Sequence, residues 1–553
     1  MEEIGRPEPE ECWVRHFQAY LQQSQTRPVR LLETHISWVL LGDETAYKIK
    51  KPVDFGFLDF SGLEQRRRCC AAEITLNRRL APHIYLEVVP IYGSPAAPTL
   101  VAGNTDEPFE FAVKMKRFDP DGLLTQWLQQ GQAAPARNAL MDALASLIAD
   151  FHQHAERADP ASDFGRQAAV WRPVAENFQQ IEPLLRDADD VASLARLRAE
   201  LQTMRERLSA LFAERKSQGF IRACHGDLHS GNIAIIDEQP VPFDCIEFND
   251  NLRVIDVASD MAFLLMDLHY QQWPDLANRL LNEYLAQTGD YAQLPLQRFY
   301  QVYRAMVRAK VGILRLQQIA PSDDAARQAI VQDYRHHIAL AQSLIKGRAP
   351  FLVIMHGLSG SGKSTVARHI CAAGGALHLR SDVERKRLFG LTPLQSSAAV
   401  PEGGIYTREA SEQTFARLLH LAEGAVRAGV PVVVDATFLH VRARQPFMQL
   451  AQRLGVAFAI VACSVDETRL VQRLRQRTQR GNDASEADVE VMRAQQGHQE
   501  PFTDTEQPWV ITVCQQADDG AAGIGPAADG ELPAAVGAFL ASVSAESAGG
   551  AAA

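Results

Sequence analysis

The sequence predicts two domains of different fold class: an N-terminal part in which strands give way to helices, and a C-terminal α/β part on a parallel sheet. Three observations predict them. Strand-like runs recur between Val29 and Arg117 on either side of one helical stretch, and the chain is mainly helical from Leu123 to Ala213. From Phe351 onward, strands at 351–355, 376–379, 431–435, 457–463 and 509–514 alternate with helices, which implies a parallel sheet. Between the first strand and first helix of that second part, residues 357–364 read GLSGSGKS and fit G-x-x-x-x-G-K-[ST] at every fixed position.

The flanks of that motif are as its chemistry needs. Phe351 to Met355, bounded by Pro350 and Gly357, reads as a buried parallel strand, and Thr365 to Cys371 is helix-compatible. Gly357, Gly360 and Gly362 let backbone N–H groups turn inward around a phosphate, where a Cβ would clash. Ser361 and Thr365 belong to the same cradle, and the helix N-terminus adds partial positive charge. Lys363 is placed to reach the β/γ-phosphates of ATP and Ser364 to hold Mg²⁺.

Composition bounds the rest. The chain has 553 residues, 46% of them hydrophobic and 22% charged, the make-up of a soluble globular protein of two to four domains. A net charge of -11 argues against extended contact with nucleic acid or anionic membranes. The eight cysteines are scattered without a C-x-x-C pair, so neither a zinc site nor a disulfide framework is expected. The acidic start, MEEIGRPEPEE, does not read as a signal peptide, and no run reaches about 18 apolar residues, so a cytoplasmic location without membrane attachment is expected.

In chain order, a short amphipathic helix is expected over Cys12 to Leu21, within an N-terminal linker region 1–28. Strands follow at 30–32, 36–41 and 46–50, the last two separated by the turn signal Gly42-Asp43. Ser61 to Leu80 reads as a helix with Ser61 as N-cap and Glu64 completing a capping box. Strands return at 85–92 and 110–117. A helical stripe of Leu140, Leu144, Leu147, Ile148 and Phe151 reads as core, with His152 and His154 structural. Two more helical stretches, Val257 to Leu268 and Pro274 to about Lys346, precede a short linker at 346–350. In the C-terminal part, Ser485 to Asp488 reads as a capping box. Residues 516–531 are Gly/Ala/Asp-rich and expected to be disordered, with a final helix over 532–543 in a low-complexity tail 516–553.

A second site is legible at Ala223 to Asn232, ACHGDLHSGN. Asp227 stands five residues before Asn232, and Asp244 twelve residues further on, the spacing of a kinase catalytic loop and its metal-binding aspartate. One carboxylate must accept the hydrogen bond of the attacking hydroxyl. An amide and a second carboxylate must hold Mg²⁺ against the phosphates. Upstream, Lys48 ends a strand and suits the α/β-phosphates, with Lys50 on the same strand face; Glu73 can hold Lys48 in place. Asp256 and Asp260 are expected to cap a helix or brace the loop.

His225-Gly-Asp227 with His229, Gly231 and Asn232 resembles the signature of the aminoglycoside phosphotransferase-like family. The resemblance covers residues 29–345 and implies an α+β protein-kinase-like fold. It also implies that Lys48, Asp227, Asn232 and Asp244 take the roles of ATP lysine, catalytic base and two metal ligands. The chain departs from kinases that carry G-x-G-x-x-G between the first strands: here the stretch is Glu33-Thr-His-Ile-Ser-Trp38.

The loop at Gly357 also has partners. Asp382 and Arg385, at i and i+3 of a helix start, share a face, where a carboxylate can activate a hydroxyl that a guanidinium orients. Val432-Val-Val-Asp435 resembles a Walker B strand whose Asp binds Mg²⁺. Arg473 and Arg477 sit four apart on a helix, as lid arginines that close over phosphates do. This set resembles P-loop NTPase-fold kinases that phosphorylate small-molecule or nucleic-acid hydroxyls, and Asp382-x-x-Arg385 is closest to polynucleotide kinases and zeta toxins.

Taken together the chain resembles a bacterial fusion of an aminoglycoside phosphotransferase-like domain (29–345) with an AAA-type P-loop kinase domain (351–515). The expected function is an ATP- and Mg²⁺-dependent phosphotransferase with two nucleotide sites, acting on hydroxyl-bearing small molecules. Two alternatives stand beside it. The C-terminal domain could be a nucleic-acid 5′-hydroxyl kinase, a reading the acidic balance disfavours, or the chain could bind ATP as a non-enzymatic regulator.

Overall fold

The computed structural model describes residues 9–56, 58–103, 107–317, 319–320, 322–396, 405–480, 484–514 and 532–549. The chain divides into two compact units, Met1–Glu176 with Ser209–Asp267, and Asn177–Leu208 with Leu268–Ala553.

The first unit is built on a six-stranded antiparallel sheet of β1 (Arg30–Glu33), β2 (Ser37–Leu41), β3 (Thr45–Lys50), β4 (Tyr85–Ser94), β5 (Ala97–Thr99) and β6 (Glu110–Lys116). Its spatial order is β1-β2-β3-β6-β4-β5. Strand alternation decides which side chains reach the site. Trp38, Leu40, Tyr47 and Ile49 pack with Val14, Phe17 and Leu21 of the helix Pro9–Gln22. The period of two therefore sends Lys48 and Lys50 to the opposite face. There the helix Leu63–Asn77 packs on β6 and β4 and buries Glu73. Ser61 is not its N-cap as predicted: the helix starts at Leu63 behind Gly62, and the Ser61 hydroxyl donates to Asp59 Oδ1 at 2.6 Å. Asp59 Oδ1 also accepts from Ser61 N–H at 2.9 Å, a local turn that ends before the helix opens.

Two small ribbons carry the loop predicted to be catalytic. β7 (Ile221–Ala223) pairs with β10 (Val254–Asp256), and β8 (Ile233–Ile236) pairs with β9 (Gln239–Pro242), both antiparallel. Residues 224–232 join β7 to β8, and Asp244 follows β9. The guanidinium of Arg215 grips both oxygens of Asp256 at 2.6 and 2.7 Å, and both side chains are 1% exposed. The helix Ala134–His154 buries Leu140, Leu144, Ile148 and Phe151, as its stripe predicted.

The second unit centres on five parallel strands: β11 (Phe351–His356), β12 (Leu377–Arg380), β13 (Val432–Asp435), β14 (Ala457–Ser464) and β15 (Val510–Cys514). Their order is β12-β13-β11-β14-β15. β11 is buried along its whole length, which explains its unbroken apolar sequence. The helices Pro274–Thr288, Leu294–Leu314 and Asp324–Lys346 belong to the same unit. The helix Val489–Gln496 is capped by Asp488, which accepts from Val491 N–H at 2.9 Å, so the predicted Ser485 cap moves three residues on. The predicted tract 516–531 lies outside the described residues, and the last helix is Ala534–Gly549.

Arg215→Leu strips a buried carboxylate of its bidentate partner. The first unfolding transition in urea should lose about 3–5 kcal/mol, the cost of an uncompensated buried charge. A loss below about 1 kcal/mol would mean that Asp256 is satisfied otherwise.

Candidate active sites

In the first unit, Lys48, Glu73 and Asp244 come together as the sequence implied. Lys48 Nζ lies 2.9 Å from Glu73 Oε1 and also donates to Asp244 Oδ1. Burial alone would favour a neutral amine, but Asp244 and Glu73 hold Lys48 protonated, well above the ordinary lysine range. Burial likewise opposes ionisation of Glu73, yet Lys48 and Lys50 lower it to about 2. Asp244 adopts φ of 63°, a left-handed backbone rare outside glycine, and its N–H donates to the Tyr85 hydroxyl at 3.0 Å.

The loop His225–Asn232 is held from below. Asp260 accepts from His225 N–H at 3.0 Å and Gly226 N–H at 2.8 Å, and His152 Nε2 lies 3.2 Å from the same carboxylate. His152, Cys224 and Asp260 bring donor atoms within 4.8 Å of one another. Because both Asp260 oxygens already accept N–H bonds, the cluster reads as a brace. His225 Nδ1 accepts from Asp227 N–H at 3.3 Å, which leaves Nε2–H to donate to Phe243 O at 3.0 Å. Burial lowers the pKa of this ring, against the pull of Asp260, Asp227 and Asp244. Gly226 has φ of 87°, and a Cβ there would meet Leu252 O at 2.9 Å. Asn232 Nδ2 donates to Asp227 O at 3.0 Å and Oδ2 at 2.9 Å, fixing base and metal-ligand candidates together. Phe243 N–H donates to Asn232 O at 2.9 Å, which draws Asp244 alongside. The carboxylates of Asp227 and Asp244 stay 37% and 39% exposed, open to a ligand.

The sequence reading did not assign two members of this site. Lys50 Nζ bonds Glu73 Oε2 at 2.7 Å and also Glu247, both ends nearly buried. Burial opposes this charge as well, but Glu247 and Glu73 raise Lys50 above the lysine range. The sequence signals were present: Lys48 and Lys50 share a strand face, and Glu247 stands three residues after Asp244.

In the second unit, Gly357, Gly360 and Gly362 take φ of 136°, 86° and 86°. A Cβ on Gly357 would meet Cys463 O at 2.4 Å. Lys363 opens the helix Lys363–Gly374, and its Nζ donates to Leu358 O at 2.8 Å. Burial lowers its pKa, while Asp435, Cys463 and Asp382 oppose that shift. Asp435 ends β13. Burial would raise its pKa, but His378, Lys363 and the Ser364 hydroxyl together hold it well below the carboxylate range. Ser361 Oγ is buried with no partner among the described residues, and Thr365 N–H turns back to Gly362 O at 3.1 Å. A cradle that a Cβ would fill, an orphaned hydroxyl and a lysine beside a carboxylate fit a Mg²⁺-bound nucleotide phosphate.

Asp382 and Arg385 lie on the helix Ser381–Leu388. Arg385 donates to Ile405 O at 2.9 Å and Ser411 Oγ at 3.2 Å, and its Nε is buried with no partner among the described residues. Burial lowers its pKa against the pull of Asp382 and Tyr406. Arg473 and Arg477 lie on the helix Glu467–Arg480, whose Leu470 and Leu474 press on Gly360 of the loop. Arg477 donates to Ala487 O. Gln495, which the sequence reading passed over, accepts from Ser359 N–H of the loop at 2.9 Å.

Comparison with known proteins finds matches over both stretches that carry these residues. The sequence profile of the phosphotransferase enzyme family matches residues 64–296, and that of an AAA domain matches residues 352–502. The uncharacterized protein Rv2004c of Mycobacterium tuberculosis and the uncharacterized protein Mb2027c of Mycobacterium bovis are each 32% identical over 467 residues, spanning 84% of this chain and 89% of theirs. Among solved structures, a choline/ethanolamine kinase family protein from Mesorhizobium loti aligns at 13% identity and TM-score 0.35, over 60% of this chain and all of that one. A gluconokinase from Sinorhizobium meliloti 1021 aligns at 20% identity and TM-score 0.25, over 36% of this chain and 96% of that one. The chain thus belongs to the same family as the mycobacterial proteins, and joins an aminoglycoside phosphotransferase-like domain of protein-kinase-like fold to a C-terminal AAA-type P-loop kinase domain.

Proposed function

We propose that the chain is an ATP-dependent phosphotransferase with two nucleotide sites, each transferring phosphate to a hydroxyl of a small-molecule acceptor. The observation that supports it most is Lys48 held between Glu73 and Asp244, with Asp227 and Asn232 bonded to each other beside them. Those are the charges a kinase-fold site needs and the geometry that would position them. When bound, ATP supplies the transferable phosphoryl group and Mg²⁺ offsets its charge.

In the first site Lys48 would neutralise the nucleotide phosphates, and Asn232 with Asp244 would hold Mg²⁺. Asp227, half open to solvent, would accept the proton of the acceptor hydroxyl. In the second site the backbone of Gly357, Gly360, Ser361, Gly362 and Thr365 would cradle phosphate, with Lys363 alongside. Ser364 and Asp435, already hydrogen-bonded, would hold Mg²⁺. Asp382 would take the acceptor proton while Arg385 orients the hydroxyl, and Arg473 and Arg477 would close over the phosphates.

Transfer from γ-labelled ATP into a metabolite extract tests this directly. Asp227→Ala should remove one set of labelled products and Lys363→Ala a different set. Unchanged products in both variants would end the two-kinase reading. With a purified acceptor in hand, Asp227→Ala should slow the first activity by about 10²–10⁴-fold, the range for a positioned general base.

Gly226→Ala makes a finer distinction. Its Cβ would collide with Leu252 O in a backbone conformation that disfavours it. It should depress the Asp227-dependent products while the Lys363-dependent ones persist. Equal loss of both sets would count against separate sites.

A further inference from the structure

Two buried polar contacts reach the second site from residues upstream of its sheet. They come from Asn282 on the helix Pro274–Thr288 and from Tyr291 just after it, in the same compact unit as the parallel strands. Both residues fall within the stretch that matches the phosphotransferase family.

β12 is an edge strand, so the backbone groups on its outer side have no strand beside them. Asn282 supplies the partner. Its Nδ2 donates to Ala376 O at 3.0 Å, and its Oδ1 accepts from His378 N–H at 2.7 Å. Asn278 Nδ2 reaches the same Ala376 O at 3.0 Å, and its Oδ1 accepts from Asn282 Nδ2 at 3.0 Å. The His378 ring then meets Asp435 Oδ2 at 3.2 Å. In the β12–β13 register His378 pairs with Val433 and Arg380 with Asp435, so the His378 and Asp435 side chains share a sheet face. A continuous polar path thus runs from Asn282 through His378 to the carboxylate assigned to Mg²⁺.

The second contact reaches the acceptor side. The Tyr291 hydroxyl donates to Glu384 Oε1 at 2.9 Å. Glu384 is fully buried, and it also meets Arg387 Nε at 3.3 Å and Arg417 Nε at 2.5 Å. It sits between Asp382 and Arg385 on their short helix. Arg387 ties that helix again to Gln287 O at 3.3 Å.

We propose that Asn282 and Tyr291 are positioning residues for the P-loop site. Asn282 sets the metal-side carboxylate through His378, and Tyr291 sets the helix of Asp382 and Arg385 through Glu384. This rests on the reading of Gly357 to Arg385 as a kinase site. Apolar side chains at this edge would leave Ala376 C=O and His378 N–H buried without partners. An amide that pairs with both Ala376 and His378 also fixes where β12 lies along its neighbour, and a slip of one residue would turn His378 away from Asp435.

The test uses the full chain carrying Asp227→Asn, so that Mg²⁺-dependent ATP turnover reports the P-loop site. Asn282→Ala should raise the Mg²⁺ concentration for half-maximal turnover about ten-fold, the lower end for a partner of a metal-binding group. Asn278→Ala removes a second bond to Ala376 O and one to the Asn282 amide but keeps the Asn282–His378 bond, so it should leave the midpoint in place. Tyr291→Phe removes a single oxygen and keeps the ring, so its effect is read on a folded chain. It should lower turnover several-fold without moving the Mg²⁺ midpoint. Equal midpoint shifts in Asn282→Ala and Asn278→Ala, or lower melting temperatures with kinetics unchanged, would reduce both residues to packing and overturn the proposal. Lys363→Ala is the reference: if turnover survives it, the kinase reading fails first, and the proposal with it.

Discussion

Glu73 is the residue on which the first site turns. It is fully buried and carries a lysine on each oxygen, Lys48 on one and Lys50 on the other. A buried carboxylate alone would cost several kcal/mol of desolvation, and so would either ammonium. None of the three is tolerable without the others. The chain extends at both ends, to Asp244 beyond Lys48 and Glu247 beyond Lys50. Three carboxylates against two ammoniums leave one negative charge in excess. The interior end, Glu247, is 4% exposed, and the open end, Asp244, is 39% exposed. An added cation is therefore best accommodated at Asp244, where the resemblance had placed a metal ligand.

This dependence explains what the sequence did and did not disclose. Catalytic-loop residues announce themselves because their spacing is local: Asp227 and Asn232 are five apart, and one amide spans the gap. The Gly357 loop is legible for the same reason, since strand, turn and helix are consecutive in the chain. Glu73 was one of two acidic residues, with Glu64, on a helix rich in arginine. Its burial is set by β4 and β6, strands that follow it in the chain and whose packing no local pattern encodes. Lys50 and Glu247 are 197 positions apart, and only the fold makes them a pair. The two misplaced caps, Ser61 and Ser485, are local shifts of a helix start: Ser61 is tied into a turn with Asp59 and its helix opens at Leu63, and Asp488 rather than Ser485 caps the helix Val489–Gln496.

The two candidate sites are built from different parts. The first gathers side-chain charge from elements far apart in sequence and must bury that charge to order it. The second is built around the backbone of the Gly357 loop and the N-terminus of the helix Lys363–Gly374. Its lysine is accordingly pulled below the ordinary range by burial, where Lys48 is pushed above it. Partner carboxylates explain the contrast. Lys48 makes two direct ion pairs, whereas the Lys363 ammonium hydrogen-bonds a carbonyl and feels Asp435 and Asp382 without a salt bridge to either.

That difference bears on what each site needs from its surroundings. A site organised by a closed network of ion pairs holds its own geometry, because displacing one member uncovers a buried charge elsewhere. A site organised by a backbone cradle depends on the placement of the strands and helices that bear it. For Asp435 the relevant strand is β13, and its neighbour β12 lies at the edge of the sheet, where pairing is one-sided. For Asp382 and Arg385 the support is a helix of eight residues, too short to be stable from its own hydrogen bonds. Both weak points are where polar side chains from residues 278–291 make contact. The backbone-based site is thus the one that external bracing can tune.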